Sequence, residues 1–203
     1  MSPFSVSIFL VAWCAIGIYI VRRAERRIAP NTTSVWRDVI ICASISAIAV
    51  TVRPVPEAAT CGAACIALIV ASGADARTGL LFDAITLPSA VLVATLAIVE
   101  GRSTSAVEGV ALLVGIFGSI VILSQGRAMG LGDVKAMYAI GAAYGPSQSL
   151  VVVFVACVSG LFIAVCRGRL TRGTEVRFGP HLAAGSAFAL IAGNPIAHHF
   201  MES

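Results

Sequence analysis

Charge is scarce in this chain: 14 Lys and Arg and 10 Asp and Glu make up 12% of 203 residues, against 58% hydrophobic residues. A soluble domain of this length buries about two thirds of its surface and covers the rest with charge, so the soluble globular class is excluded. A CxxC pair is missing too. Cys61 and Cys65 are one residue too far apart for a zinc or redox motif of that kind. All six cysteines (Cys14, Cys42, Cys61, Cys65, Cys157 and Cys166) fall in or beside apolar stretches, where a thiol acts as a small hydrophobe. His181, His198 and His199 have no ligand spacing with acids or cysteines, so neither a metal nor a cofactor is expected. No basic segment precedes the first apolar run, Met1 to Val21. Its arginines follow it, as in a retained anchor rather than a cleaved signal. Internal repeats and low-complexity tracts are absent, and the longest polar loop, Arg22–Asp38, has about 17 residues. A single integral-membrane domain over 1–203 is expected.

What the chain does have is long apolar runs, with a mean hydropathy of +0.95. They predict an all-α, polytopic transmembrane bundle of about eight helices (six to eight). The predicted helices are Phe4–Val21, Val39–Val52, Glu57–Ser72, Ala84–Val99, Val107–Ser124, Val134–Tyr144, Leu150–Cys166 and His181–Ile196. Several are shorter than the about 20 residues of a lone spanning helix, which a packed bundle tolerates by local thinning or by burying an end. Glycines such as Gly109, Gly115 and Gly118, or Gly141 and Gly145, are expected to allow close helix contacts. The formal charge of +4 is sorted by loop rather than gathered in a patch, so it points to lipid topology and not to nucleic acid. With the N-terminus outside, 12 of the 14 basic residues face the cytoplasm: Arg22, Arg23, Arg26, Arg27, Arg37, Arg77, Arg127, Lys135, Arg167, Arg169, Arg172 and Arg177. Arg53 and Arg102 lie outside, where Glu100, Glu108 and Arg102 read as solvated loop charges.

On this topology Asp75, which follows an apolar run, and Asp133, which precedes one, lie at the same cytoplasmic face. Acids at membrane boundaries are costly unless paired or working. Two carboxyls that meet share a proton, which supplies a general base to activate water and an acid to protonate a leaving amine. Such a pair suits peptide hydrolysis without a covalent intermediate. Against this stands a plainer role for each acid as a solvated loop residue or helix cap. Gly130 and Gly132 allow positive φ and close approach of an extended substrate, and the helix that follows favours ionised Asp133. Lys135 points to a different helix face and is expected to reach for phosphate headgroups. Asp83 is the second candidate for catalysis. Its other roles are to hydrogen-bond backbone near a helix start or to attract basic residues of a substrate, with Thr86 as N-cap and Pro88 in the first turn. Phe178-Gly179-Pro180 reads either as a substrate-facing turn or as the lead into the last helix.

Three stretches in order over roughly Ala71–Gly185 carry a resemblance. They are Ala74-Asp75-Ala76-Arg77-Thr78-Gly79 through Asp83 to Pro88, then Gly130-Leu131-Gly132-Asp133-Val134-Lys135 with Gly141 and Gly145, then Phe178-Gly179-Pro180-His181-Leu182. Together they resemble the type IV prepilin peptidase family of GxGD-type aspartic proteases, with a motif-bearing core of about 57–193. The resemblance implies that Asp75 and Asp133 are the catalytic pair. It also implies that the substrate is a prepilin or pseudopilin, cut after a glycine at the cytoplasmic face of the bacterial inner membrane. Pilus or secretion assembly machinery and membrane lipid are the further partners it implies. Phe82 stands before Asp83 where the family usually has other residues. Larger members carry paired CxxC motifs in a cytoplasmic domain, associated with methylating the new pilin N-terminus. No cysteine occurs between Val21 and Ile41, so the chain resembles the short, peptidase-only branch found with tight-adherence pili.

The alternatives are a bifunctional peptidase and N-methyltransferase, a small proton-coupled transporter using the same acids as a relay, and a non-enzymatic assembly scaffold. A relay requires polar groups through the bilayer midplane, where these helices are nearly all apolar or small. The presenilin-like branch of GxGD proteases pairs its motif with Tyr-Asp, which does not occur here.

Overall fold

A computed structural model describes residues 2–25, 35–78, 83–127, 129–166 and 178–201. Its elements are seven helices: α1 Pro3–Glu25, α2 Val35–Val52, α3 Val55–Thr78, α4 Asp83–Val99, α5 Ser103–Leu123, α6 Leu131–Cys166 and α7 Gly179–Met201. No strand occurs among the described residues. Four helices contain stretches long and apolar enough to cross a membrane: Pro3–Arg23, Glu57–Asp75, Ser103–Leu123 and Leu131–Cys166. Shorter apolar stretches, Ile40–Val52, Ile85–Val99 and Gly179–Ala192, lie in the other three. The chain is a multi-pass membrane protein, and its outward faces carry the residues lipid requires, among them Ile8, Val11, Val107, Ile122, Phe154 and Phe162.

The two helices expected at Val134–Tyr144 and Leu150–Cys166 are one element, α6, broken at Gly145. Gly145 has φ 67° and ψ −176°, a conformation that L side chains rarely adopt, and Pro146 follows it with no N–H to give. The chain therefore turns back at that point, and the helix before the break is only about 20 Å long.

The helix at the centre is α3. Its apolar stretch is 78% buried, against 17% for α5. Composition is the cause: Ala58, Ala59, Gly62, Ala63, Ala64, Ala67, Ala71 and Ala74 make a thin helix that neighbours approach from all sides. At Gly62 an added Cβ would lie 2.9 Å from Leu10 of α1 and 3.2 Å from Ala49 of α2. Such contacts supply packing energy where lipid removes the hydrophobic drive between helices. Gly109 and Gly141 join α5 to α6 backbone against backbone, a Cβ at Gly141 falling 2.5 Å from the Gly109 carbonyl oxygen. Gly115 and Gly118 do not share that role. Nothing lies within 4 Å of a Cβ at either, because they sit on α5 beyond the face that meets α6.

One end of the bundle is pinned by charge, contrary to the expectation of solvated loop residues there. Arg53, between α2 and α3, is 5% exposed; it donates from Nε to the Leu190 carbonyl at 2.9 Å and from Nη2 to the Ala189 carbonyl at 2.5 Å. Its Nη1 meets Glu57 at 3.3 Å. Glu100 is half-buried, taking a hydrogen bond from Thr60 and facing Arg102 at 3.4 Å. Arg102 in turn donates to the Ala143 carbonyl at 2.9 Å, just before the Gly145 break. The physical reason is the tight α4–α5 turn, Glu100 to Arg102, where Gly101 at φ 74° folds the charged pair onto α3 and α6. Glu108 alone of this group is exposed, as expected.

Candidate active site at the opposite end of the bundle

Both acids belong to helices rather than to loops. The α3 helix continues past the apolar run through Asp75 to Thr78, so Asp75 sits in its closing turns and is 8% exposed. Asp133 lies in the first turn of α6, half-buried. The Cys61 thiol touches the Ala143 carbonyl at 3.4 Å, which fixes the relative level of the two helices. From that contact α3 runs fourteen residues to Asp75, and α6 runs ten residues back to Asp133, about 21 and 15 Å of helix. The two carboxyls thus reach the same end, close enough that the charge of Asp75 acts on Asp133.

Gly130-Leu131-Gly132-Asp133 is a helix start. Gly130 is the N-cap, the Asp133 N–H donates to the Gly130 carbonyl at 3.2 Å, and the Gly130 N–H hydrogen-bonds the Asp133 carboxyl. An acid in the third helical position reaching back to the N-cap amide is half of a capping box. Neither glycine adopts positive φ, contrary to expectation: Gly132 is already inside the right-handed helix, and the positive-φ glycines among the described residues are Gly101, Gly126 and Gly145. What Gly130 provides is open space, the nearest atom to an added Cβ being 4.0 Å away. Lys135 is half-buried two positions beyond Asp133, about 200° around the helix.

Asp83 is the first residue of α4, and its side chain lies outside the described residues, as do those of Arg77 and Phe82. Thr86 is not an N-cap, because α4 begins three residues before it; Thr86 is buried and Pro88 lies inside the helix. Phe178-Gly179-Pro180 is the lead into α7, with the Phe178 carbonyl accepting from the His181 and Leu182 amides at 3.1 Å. This turn reaches Asp75. A Cβ at Gly179 would lie 2.8 Å from Asp75 Oδ2 and 3.3 Å from its Cβ and Cγ. Three stretches remote in the chain, near 75, 133 and 179, therefore converge.

The profile of the type IV leader peptidase family matches residues 62–165. The chain belongs to that family. The family match takes in Asp75, Asp83, Gly130, Gly132, Asp133 and Lys135 but stops short of α7. Among curated proteins, the prepilin leader peptidase/N-methyltransferase of Burkholderia pseudomallei, strains 1026b and K96243, is 34% identical over 140 residues, covering 64% of this chain and 45% of the relative. The protein of the same name from Dickeya chrysanthemi is 34% identical over 137 residues, 63% of this chain and 48% of its own. The chain spans about half the length of these relatives. No solved structure matches it.

Two features of this end have no signal in the sequence. One is the Gly179–Asp75 contact. The other is the surroundings of His181, which is buried with Nδ1 3.2 Å from Ser159 Oγ and the bare Cα of Gly160 against its ring. Nothing local in the sequence connects Ser159 with His181.

Proposed function

We propose that this protein is a membrane-embedded leader peptidase in which Asp75 and Asp133 hold one proton between them and hydrolyse a peptide bond with water. The ionised carboxyl takes a proton from the water, and the water oxygen adds to the carbonyl carbon. The protonated carboxyl then gives its proton to the amide nitrogen as the C–N bond breaks, releasing a leader carboxylate and a new amino terminus. No covalent intermediate forms and no cofactor takes part. The substrate is a type IV prepilin or pseudopilin, which puts a short basic leader beside an apolar helix. The active end faces the cytoplasm at the bacterial inner membrane, a reading supported by the 12 of 14 basic residues on that side. Asp83 and the open approach beside Gly130 are assigned to receiving the leader, Asp83 by attracting its basic residues. The proposal takes over only the peptidase activity, since the matching family profile is that of the leader peptidases.

The observation that carries this reading is that two acids from separate helices reach one end of the bundle, near enough for the charge of Asp75 to act on Asp133. Co-expression with a candidate prepilin, read as a gel shift on leader removal, tests it. The intact protein processes the leader, and the Asp75→Ala and Asp133→Ala proteins reach the membrane folded but leave it attached. Full cleavage by Asp133→Ala excludes the mechanism.

A further inference from the structure

We propose that the first turn of α7 is part of the catalytic unit: Gly179 is a positioning residue that sets the Asp75 carboxyl through its bare Cα, and the His181–Ser159 contact holds that turn in place. The inference rests on the dyad reading above and extends it to residues beyond the family match at 62–165.

The close-packed glycines differ in what an added Cβ would meet. A Cβ at Gly109 or Gly141 would strike the backbone of the facing helix, and one at Gly185 would strike the Val152 carbonyl. Backbone cannot yield without moving a whole helix, so those glycines serve packing. At Gly179 the nearest atom is the far end of a side chain, Asp75 Oδ2, at 2.8 Å. A methyl group there displaces the carboxyl first, and the Asp75 Cβ, 3.3 Å from it, asks only a few tenths of an ångström of the α3 backbone. Gly179 is thus required for where Asp75 points.

The turn must be fixed for that to hold, and His181 fixes it. Ser159 Oγ donates to the Ala156 carbonyl at 3.1 Å, which leaves its lone pairs to accept from Nδ1–H of His181 at 3.2 Å. The ring lies against Gly160, where an added Cβ would be 3.5 Å from its Cδ2. Pro180 restricts φ between the two residues, and the Phe178 carbonyl closes the turn. A displacement of about 1 Å at a reacting group costs on the order of 100-fold in rate.

The test compares purified variants in detergent with a purified prepilin. Gly179→Ala is expected to lose about 100-fold in kcat with KM within about twofold, an unchanged melting temperature and a shifted pH profile of kcat/KM. Gly185→Ala is the packing control; it melts lower, and its folded fraction turns over normally with the native pH profile. His181→Leu is expected to lose about tenfold in kcat, and His181→Gln, which keeps an N–H donor, to recover most of it. Gly179→Ala cleaving at the native rate, or losing activity only in proportion to folded protein, overturns the proposal. Should that variant not fold, a native kcat in His181→Leu overturns it instead. If Asp75→Asn still cleaves, the dyad reading fails and this one with it; an inactive Asp75→Asn beside a fully active Gly179→Ala removes this proposal alone.

Discussion

At the end of the bundle where α2 turns into α3, Arg53 meets Glu57 and two carbonyls of α7, and Glu100 meets Arg102 and Thr60. At the end where α3 closes and α6 begins, Asp75 and Asp133 bring two charges of one sign together, with Gly179 against the first. Opposite charges that satisfy each other hold helices in register; like charges that face each other cost stability and are kept for chemistry. The contrast predicts that substitutions at the paired end change melting and spare the chemistry of the folded molecule, and that substitutions at the acidic end do the reverse.

The sharpest blow to the paired end is Arg53→Ala. It leaves Glu57 and the Ala189 and Leu190 carbonyls without their guanidinium, and it is expected to cost about 3 kcal/mol, read as a lower melting temperature in detergent. Next comes Gly141→Ala, which drives a methyl into the Gly109 carbonyl and the Val110 amide. About 2 kcal/mol is expected, with turnover per folded molecule retained.

A smaller effect concerns pH. Burial holds the Glu100 carboxyl above its ordinary 4.5, and the Thr60 hydrogen bond and Arg102 oppose this without cancelling it. In the unfolded chain Glu100 ionises near 4.5, whereas in the fold it keeps its proton longer. Its contribution to stability is therefore full below that pH and is lost as pH rises through the raised folded value. Melting curves of the native protein and Glu100→Gln across that range check this; the variant is expected to lose that component of the pH dependence. The smallest effect is Gly118→Ala, with open space around the new methyl group, which is expected to change stability by less than about 0.5 kcal/mol. Its contrast with Gly141→Ala separates the glycines that join helices from those that face lipid.

Much of the fold is legible in the chain because lipid allows few solutions: apolar runs become helices, and their polar ends mark the turns. The six expected helices outside α6 each overlap an observed one, with ends that differ by at most six residues, the largest gap being at the C-terminal end of α3. The two dyad candidates were legible for a related reason, as acids at equivalent boundaries of such runs. Local rules failed where the signal was not local. Asp75 lies in a helix because helix propensity does not stop where hydrophobicity does, and Ser72 through Thr78 simply continue α3. Glu100 and Arg102 look solvated in sequence and are half-buried because the turn at Gly101 lays them on α3 and α6. Gly130 and Gly132 read as glycines that take positive φ and are instead the start of a right-handed helix, since an acid three positions after Gly130 caps it. The contact of Gly179 with Asp75 spans more than a hundred residues and leaves no trace in either neighbourhood.

The most direct test of the contrast between the two ends is the turnover of prepilin per folded molecule by Asp133→Asn, measured beside its melting curve. The account predicts that leader removal falls by at least about 1,000-fold while the melting temperature stays at or above that of the native protein. Native turnover, or a loss that merely follows the folded fraction, contradicts it.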